Sequence, residues 1–432
     1  MTKVMYSTKK ESRKNLIKRI CFTIFVLLVY NALSYVIIPG IDPRQLAKVA
    51  NNPSLMMMSL FSGGGFQNLS LMSMGVSPYI TAQIIVQLFS SGAIKILTEW
   101  SNEGKIGRQK LTTLTRWISL VLGFVQAIGI VAGINALAQY GFAVQNTWLN
   151  YIVIGMLLTA GSFIGMWLGD QITQNGLGNG ISVIIAAGII KRIPDIAKTF
   201  ILSVSTTIGV KWDIVLPILL CAIIMMAVII WFNRSEYRVP VQYTRRGTEK
   251  TDDSYLPLKL IVPGVIPVIF AASILTIPQT VLLFFQTRNT SPIYKMFNDF
   301  FSLTSPTGIT LYAILIVLFT YVYSVVQVDP IKLADNLSKQ DAYIPSIWPG
   351  DPTAIYMKEL IYKLDLPGSM FLMIISVIPL IASNTISPSL QMGLSGSSLL
   401  IIVGTLTDIG RQIEGLKLKE GYSHFLSTKH SF

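Results

Sequence analysis

The chain has 432 residues, of which 52% are hydrophobic and 13% are charged, about half the charged share of an ordinary soluble domain. These proportions exclude a disordered chain, and two cysteines exclude a disulfide-stapled scaffold or a cysteine-rich metal site. The net charge is +13, and in a membrane protein the placement of Lys and Arg matters more than their total. The composition therefore predicts an all-α polytopic membrane protein.

Charge-free runs long enough for a membrane helix of about 20 residues recur along the chain. The first is too long for the core of a signal peptide, about 7–15 residues, so we expect it to be retained as a span. Two later runs are each long enough for two spans, which predicts ten spans in total. The runs are 20–41, 49–94, 117–169, 171–190, 214–233, 260–287, 300–328 and 366–407.

The positive charges predict the orientation of these spans. With ten spans and a cytosolic N-terminus, 26 of the 34 Lys and Arg residues fall on the cytosolic side, and the C-terminus is cytosolic as well. Two cytosolic loops, about 233–258 and 329–366, are longer than most connections and carry hydrophobic residues between their charges. We interpret them as docking surfaces, with solvated tails as the alternative.

A short internal sequence repeat, which we call the echo, divides the chain into two halves. Residues 75–82 and 264–271 both read G-V-x-P-x-I-x-A, 189 residues and five predicted spans apart. An odd number of spans per half inverts the second copy, as in many transporters; coincidence between two apolar helices is the alternative. The predicted divisions are a basic cytosolic N-terminus (1–19), an N-terminal half (20–203), a C-terminal half (204–413) and a cytosolic tail (414–432).

The residue types needed for covalent chemistry are scarce. Both histidines, His424 and His430, lie in the tail, and no nucleophile, phosphate-loop or metal-ligand motif occurs in the sequence. Asp170 and Asp408 lie at predicted cytosolic span ends, and no predicted span centre carries a charge, which argues against proton-coupled transport. We therefore expect neither an enzyme nor a cofactor. A passive conduit and a sodium-coupled carrier both remain open.

Six motifs, in order and with matching spacing, resemble the SecY family, the channel subunit of the bacterial protein translocase. The resemblance implies ten helices in two inverted five-helix halves, opening sideways between spans 2–3 and 7–8. It also implies passage of unfolded polypeptides across, or laterally into, the bacterial plasma membrane. The motifs are GVSPYITAQIIVQL (75–88), EGKIGR (103–108), NGLGNGIS (175–182), VPVQYTRRG (239–247), LPLKL with PGVIPVIFAAS (256–273) and GSSLLIIVGTLTDIGRQIE (396–414).

The resemblance implies a constriction lined by a ring of aliphatic side chains. Two pairs of the matching positions have i, i+4 spacing, so each pair lies on one helix face. Such a ring could exclude water when empty and offers no hydrogen bonds to a passing chain. Ordinary core or lipid-facing packing is the alternative. The matching residues are Val76, Ile80, Ile181, Ile185, Ile269 and Ile401.

A plug and a lateral gate are implied by the same resemblance. The plug corresponds to PSLMMMSLFSGGGFQNLS at 53–70, where an irregular external loop is the alternative; its candidate residues are Met57, Phe61, Gly63, Gly64 and Gly65. Polar residues within spans either bridge packed helices or mark a seam that opens. The gate candidates are Gln83, Gln87, Gln126 and Ile261, the last where the family has an asparagine.

The implied partners are a SecA-type motor ATPase or the ribosome, small SecE-like and SecG-like membrane subunits, and the lipid bilayer. The docking candidates are Arg238, Arg245, Arg246 and Trp348. Trp348 stands where the family has an arginine, and losing a guanidinium removes charge-assisted contacts to an acidic partner. Together with Ile261, this change suggests an accessory SecY with a dedicated motor and a few glycoprotein substrates.

A protein of another class could share these features. A secondary transporter or lipid-linked sugar flippase would also carry inverted repeats, but it needs polar groups converging at mid-membrane, and the ring candidates are all aliphatic. A non-transporting membrane scaffold is disfavoured by the repeat and by the plug-like segment.

Overall fold

The structure is a computed structural model that describes residues 2–39, 69–137, 148–206, 209–210, 212–243, 255–284, 292–303, 305–386 and 396–429. This part of the chain is mostly helical, as predicted. It also contains three two-stranded sheets that the composition did not predict.

The N-terminal half contains six described α-helices and a short π-helical turn. The turn, Phe89–Ala93, follows the second helix. The helices are α1 (Thr2–Leu33), α2 (Ser77–Leu88), α3 (Lys95–Asn102), α4 (Lys105–Leu137), α5 (Trp148–Asn175) and α6 (Gly180–Val204).

The remaining helices belong to the C-terminal half. They are α7 (Trp212–Arg234), α8 (Ile266–Phe284), α9 (Pro292–Phe301), α10 (Pro306–Gln327), α11 (Pro330–Lys339), α12 (Asp351–Ile386) and α13 (Gly396–Lys429). The strands are β1 (Ser205–Thr206), β2 (Gly209–Val210), β3 (Glu236–Pro240), β4 (Gln242–Tyr243), β5 (Tyr255–Lys259) and β6 (Ala342–Tyr343).

Five helical stretches of the described chain are long and apolar enough to cross a membrane, judged by length and composition alone. They are Asn15–Leu33, Lys105–Ala132, Trp148–Asn175, Pro306–Lys339 and Asp351–Ile381. Shorter apolar helices lie at Gly180–Lys191, Leu220–Arg234 and Ile266–Gln279. The total of ten spans stays a prediction.

The first span is shorter than the charge-free run 20–41 predicted. Helix α1 ends at Leu33, and the next residues turn out of the helix. They pair with the chain just before α2, where the N–H of Leu71 donates to the carbonyl of Val36 at 2.9 Å. This pairing satisfies backbone groups that the helix would otherwise have used.

Capping residues begin two helices of the C-terminal half. Before α10, the Ser305 hydroxyl accepts the N–H of Gly308 at 3.1 Å. Before α11, the Asp329 carboxylate accepts the N–H groups of Ile331 and Lys332 at 3.1 and 3.3 Å. In each case proline occupies the first helical turn, where its missing N–H costs nothing.

The two halves meet along two lines of helix contact. On one side α8 packs against α4 and α2, and we call this line the seam. On another side α13 packs against α6. Within the halves, α4 packs on α2 and α5, while α10 packs on α8 and α12. The most extensive hydrophobic cluster of the described chain draws its residues from both halves.

A glycine-rich loop at residues 176–179 separates α5 from α6, later than the charge-free runs predicted, so Asp170 lies inside α5. The loop is held by the opposite half, because the N–H of Gly178 donates to the side-chain oxygen of Gln412 on α13. Gly178 has φ of +78°, and a Cβ there would lie 2.9 Å from Cγ1 of Ile409. Only glycine fits this junction without displacement.

The two long loops fold together into one unit. Strand β3 pairs antiparallel with β5 inside the first loop, and β4 pairs with β6, which joins the first loop to the second. We call β3–β6, α11, the turn at residues 344–350 and the first two turns of α12 the loop platform. A small core lies inside it and beneath it, formed by Val239, Leu258, Ile344, Met357 and Leu364. In their described parts, these loops are therefore folded rather than solvated tails.

One buried carboxylate was missed by the sequence reading, which placed it at a loop end. Asp365 lies inside α12, is 1% exposed, and has no hydrogen-bond partner for either oxygen among the described residues. Ser324 on α10 lies beside it and interacts with it, but the two groups do not reach hydrogen-bond geometry. The sequence reading placed Asp365 just before a predicted span, whereas the structure places it inside the helix that contains the candidate span Asp351–Ile381.

Replacing Asp365 with asparagine should stabilise the protein. An amide costs less to bury than a carboxylate without partners, so we expect the free energy of unfolding of Asp365→Asn to rise by about 1–3 kcal/mol. Thermal unfolding in lipid nanodiscs measures the change. Asp335→Asn, at an exposed position on α11, is the matched control and should leave the midpoint unchanged. A lower midpoint for Asp365→Asn would contradict this account.

Candidate functional site

The two copies of the echo have the same local backbone structure. Gly75 and Gly264 both adopt left-handed φ, at +53° and +61°. Each donates its N–H to the carbonyl three residues earlier, Met72 at 2.9 Å and Ile261 at 3.2 Å. A positive φ is easy for glycine and costly for other residues, which explains why both copies begin with it. The echo is thus a structural repeat as well as a sequence pattern.

Equivalent helices follow these glycines. The N–H of Ile80 donates to the carbonyl of Val76 at 3.1 Å, and the N–H of Ile269 donates to that of Val265 at 3.4 Å. A proline sits within the first two turns of both α2 and α8, at Pro78 and Pro267. Ile80 and Ile269 therefore occupy matching positions on two helices from different halves.

The six ring candidates lie within one hydrophobic cluster. Five of them are buried members of it, and the sixth, Ile181, is partly buried against it. They come from α6, α8, α13 and the start of α2, so both halves contribute. The buried members are Val76, Ile80, Ile185, Ile269 and Ile401.

The chemistry of this cluster suits a water barrier. All six side chains are aliphatic and β-branched, so they are stiff at χ1 and neither donate nor accept hydrogen bonds. A narrow passage lined by such groups favours dewetting over filling with water. That these six residues form the constriction of a channel stays a prediction.

Val265 belongs beside these residues, although the sequence reading did not select it. It is buried in the same cluster, and a Cβ at Gly404 would lie 2.7 Å from its Cγ1. Helix α13 can therefore approach Val265 this closely only because Gly404 has no side chain. The echo itself was the available signal, because Val265 is the counterpart of Val76.

The plug candidates lie outside the described residues. These are Met57, Phe61, Gly63, Gly64 and Gly65. The described end of the segment, Leu69 and Ser70, is fully buried, and Ser70 forms an isolated antiparallel bridge with Ile37. The chain that leads into α2 is thus held beside the end of α1 by this bridge.

The gate candidates lie along or near the seam. Gln83 and Gln87 are partly buried on α2, and Gln126 is buried on α4. Ile261 lies in the turn before α8 rather than in the helix, and it is buried in the main cluster. The family resemblance implies a polar gate residue at position 261. In this chain, that position holds a buried apolar side chain.

Of the docking candidates, Arg238 and Trp348 are described and both lie on the loop platform. Trp348 is 82% exposed, and the Arg238 guanidinium lies over the ring of Tyr255 at 4.6 Å. Arg245 and Arg246 lie outside the described residues. An indole this exposed contributes little to the fold, so it is available to a partner.

The charged residues predicted at span ends have partners. Asp170 pairs with Arg116 at 2.8 Å, and Asp408 pairs with Lys259 at 3.1 Å. Within the described residues, no group of three or more His, Cys, Asp or Glu side chains is placed to hold a metal ion.

Comparison with known proteins gives the same family as the motifs. Residues 70–409 match the family model described as SecY. The chain is 54% identical to protein translocase subunit SecY 2 of Lactobacillus kefiranofaciens subsp. kefiranofaciens, over 94% of this chain and 99% of that protein. It is 42% identical to protein translocase subunit SecY 1 of the same organism, over 98% of this chain and 100% of that protein.

The fold is similar to that of a solved structure whose description says that the plug domain of the SecY protein stabilises the closed state of the translocation channel and maintains a membrane seal. The TM-score is 0.65, with 18% sequence identity, and the match covers 94% of this chain and 93% of that one.

Removing the aliphatic cluster should make the membrane leak. In the triple variant Ile80→Gly, Ile181→Gly and Ile269→Gly, side chains of the predicted barrier are removed, so we expect the ion conductance of the resting channel in planar bilayers to rise about ten-fold or more. Planar-bilayer recording measures the conductance.

A matched triple variant separates leakage from damage to the fold. Ile164, Ile314 and Ile378 are exposed on helices of both halves, and changing them to glycine removes as many side chains outside the cluster. This control should not conduct. Equal conductance in both variants, or no rise in the first, would contradict a barrier at the cluster.

Proposed function

The chain belongs to the SecY family, and from that premise we propose that it is the channel subunit of an accessory protein translocase served by a dedicated motor. It translocates unfolded polypeptides, as its relatives' name of protein translocase subunit indicates. Its substrates are a few glycoproteins rather than the general set of secreted proteins. The translocase lies in the bacterial plasma membrane.

The accessory assignment rests on a difference in sequence identity between this chain and two SecY proteins of one organism. One organism has two SecY proteins, and this chain is 54% identical to the one named SecY 2 but 42% identical to the one named SecY 1. Both values cover nearly the whole of each protein.

Residues of the loop platform support a changed motor partner. Trp348 replaces a guanidinium by a large exposed indole, which favours an apolar pocket over an acidic one in the partner. Arg238 keeps a positive charge on the same platform. The docking surface of this proposal comprises these two residues together with Arg245 and Arg246. Energy comes from the motor ATPase, with a translating ribosome as the other source.

The channel itself works by apolar exclusion. At rest the aliphatic cluster, with the segment 53–70 as plug, excludes water and ions between the two halves. A translocating chain pushes these side chains aside, and they offer it no hydrogen bonds. Passage is therefore insensitive to sequence, which an exporter of unfolded chains requires.

Membrane placement completes the proposal. Ten spans with both termini in the cytosol put the loop platform on the side of the motor and give most Lys and Arg a cytosolic position. SecE-like and SecG-like subunits would pack against the exposed apolar faces of the spans. The seam faces the lipid, which allows an apolar segment of the substrate to leave sideways.

Reconstitution with each motor tests the accessory role. Proteoliposomes carrying this chain and its small partner subunits are combined with either the housekeeping motor or the dedicated motor of the source organism. We expect protease-protected glycoprotein substrate with the dedicated motor and at least ten-fold less with the housekeeping motor. Full support of general secretion by the housekeeping motor would refute the accessory assignment.

Restoring the guanidinium should shift the motor preference. In Trp348→Arg the exposed indole is replaced by the charged group that the family carries, so we expect motor affinity to move by about ten-fold from the dedicated towards the housekeeping motor. Binding to channel-containing nanodiscs measures both affinities. Ile331→Arg, an exposed isoleucine on α11, is the control. Unchanged affinity for both motors would remove Trp348 from the docking surface.

A further inference from the structure

Helix α9 exposes one apolar face. Met296 is 73% exposed, and Phe297 and Phe300 are each about half exposed. At helical spacing these three side chains lie on the same side of α9. A cluster of large exposed apolar side chains marks a surface that contacts a protein or a membrane. The charge-free runs placed most of this stretch between two predicted spans and did not predict a helix there.

The rest of α9 is divided between a polar side and an inward side. Lys295, Asn298 and Asp299 are exposed on the polar side. Inward, Phe301 is partly buried against the main cluster, and its ring lies 5.2 Å from that of Phe300 between centroids. A helix with one apolar and one polar exposed face is typical of a segment that lies in a membrane–water interface.

Hydrogen bonds hold α9 at the ends of two apolar helices. The side-chain amide of Gln279, in the last two turns of α8, donates to the carbonyl of Phe301 at 2.8 Å. The Thr307 hydroxyl, in the first turn of α10, donates to the carbonyl of Asp299 at 2.6 Å, and the Ser305 hydroxyl donates to the same carbonyl. These bonds satisfy carbonyls that the end of a helix leaves without partners. They also place α9 at the level where α8 ends and α10 begins.

Both neighbours of α9 are membrane helices by composition. The apolar helix Ile266–Gln279 lies in α8, and α10 begins the candidate span Pro306–Lys339. Further along α10, Ile314 and Leu318 are exposed as on a helix that faces lipid. Lipid that covers these side chains extends to the end of α10 at which α9 is held. The apolar face of α9 therefore continues a lipid-facing surface.

We propose that α9 is an interfacial anchor whose Met296, Phe297 and Phe300 insert into the boundary between lipid headgroups and acyl chains. The anchor fixes the adjoining ends of α8 and α10 at one depth in the membrane. With the predicted orientation of the spans, this boundary belongs to the outer leaflet. The proposal rests on the membrane placement of α8 and α10 and not on export activity.

Apolar burial, rather than headgroup charge, drives this insertion. Lys295 and Asp299 are the two charged residues of α9, so their formal charges cancel. Removing two phenylalanine side chains and one methionine side chain from water is favourable in any lipid. We therefore expect the anchor to form equally in zwitterionic and in anionic vesicles.

Spin labels on the two faces of α9 test the anchor. The full chain is reconstituted with its small partner subunits, in a background of Cys21→Ser and Cys221→Ser, which removes both cysteines of the sequence. Labels at Met296→Cys and Phe300→Cys report the apolar face, and a label at Asn298→Cys reports the polar face. Power saturation compares collisions with oxygen, which concentrates in lipid, and with a nickel chelate, which stays in water.

Two further labels define the scale of this measurement. Ile314→Cys, exposed on the candidate span, gives the value in lipid, and Trp348→Cys, exposed on the loop platform, gives the value in water. At Met296→Cys and Phe300→Cys we expect an oxygen-to-nickel ratio about five-fold or more above that at Asn298→Cys, because only the first two labels leave water. The ratios should be the same in phosphatidylcholine vesicles with and without phosphatidylglycerol.

Three results would overturn the anchor. A water-like ratio on both faces would show that the apolar face is solvated. Low collision with both reagents on the apolar face would show that protein covers it, either a partner subunit or a second copy of the chain. A lipid-like ratio found only in vesicles with phosphatidylglycerol would show attraction to headgroup charge instead of apolar insertion.

Charges placed on each face give a second measurement. Met296→Asp combined with Phe300→Asp puts two carboxylates on the inserted face, so we expect the midpoint of thermal unfolding in lipid nanodiscs to fall by about 3 °C or more. Lys295→Gln combined with Asn298→Asp makes the same change of net charge on the polar side and should leave the midpoint unchanged. Equal midpoints for the two double variants would contradict the anchor. Neither measurement uses a motor or a substrate, so both decide the anchor even if the proposed function fails.

Discussion

The packing of side chains that cannot hydrogen-bond into one cluster shared by both halves is the constraint on which this structure depends. Two helical halves place their aliphatic residues in one shared cluster, and Ile80 and Ile269 occupy equivalent positions on its two sides. As the barrier of the proposed channel, such a cluster would close without any specific contact that a passing chain has to break. A channel for unfolded polypeptides needs this property, because its cargo has no fixed sequence.

Polar contacts lie around this cluster rather than in it. The glycine loop before α6 is held by Gln412 of the opposite half, whereas Lys259 pairs with Asp408 inside the C-terminal half. These contacts are few, whereas the contact between the halves is largely apolar.

Much of this arrangement could be predicted from patterns along the chain. The charge-free runs predicted membrane helices, and the repeated G-V-x-P-x-I-x-A predicted two related halves; the structure shows that both copies share one turn, one helix start and one buried isoleucine. Helix boundaries were less accurate. The end of α1 and the break before α6 depend on pairing with distant residues, which a hydropathy run does not contain.

The sequence by itself determined that the chain is helical and apolar, which residues are aliphatic enough to form a barrier, and which family it resembles, because composition, periodicity and motifs are local properties. Only the tertiary structure decided that the two long loops share a sheet, that Asp365 is buried in a helix, and that Gln412 holds the glycine loop of the opposite half. Each of these depends on residues far apart in the chain coming together. Such contacts are set by the packing of whole helices, and no short stretch of sequence specifies them.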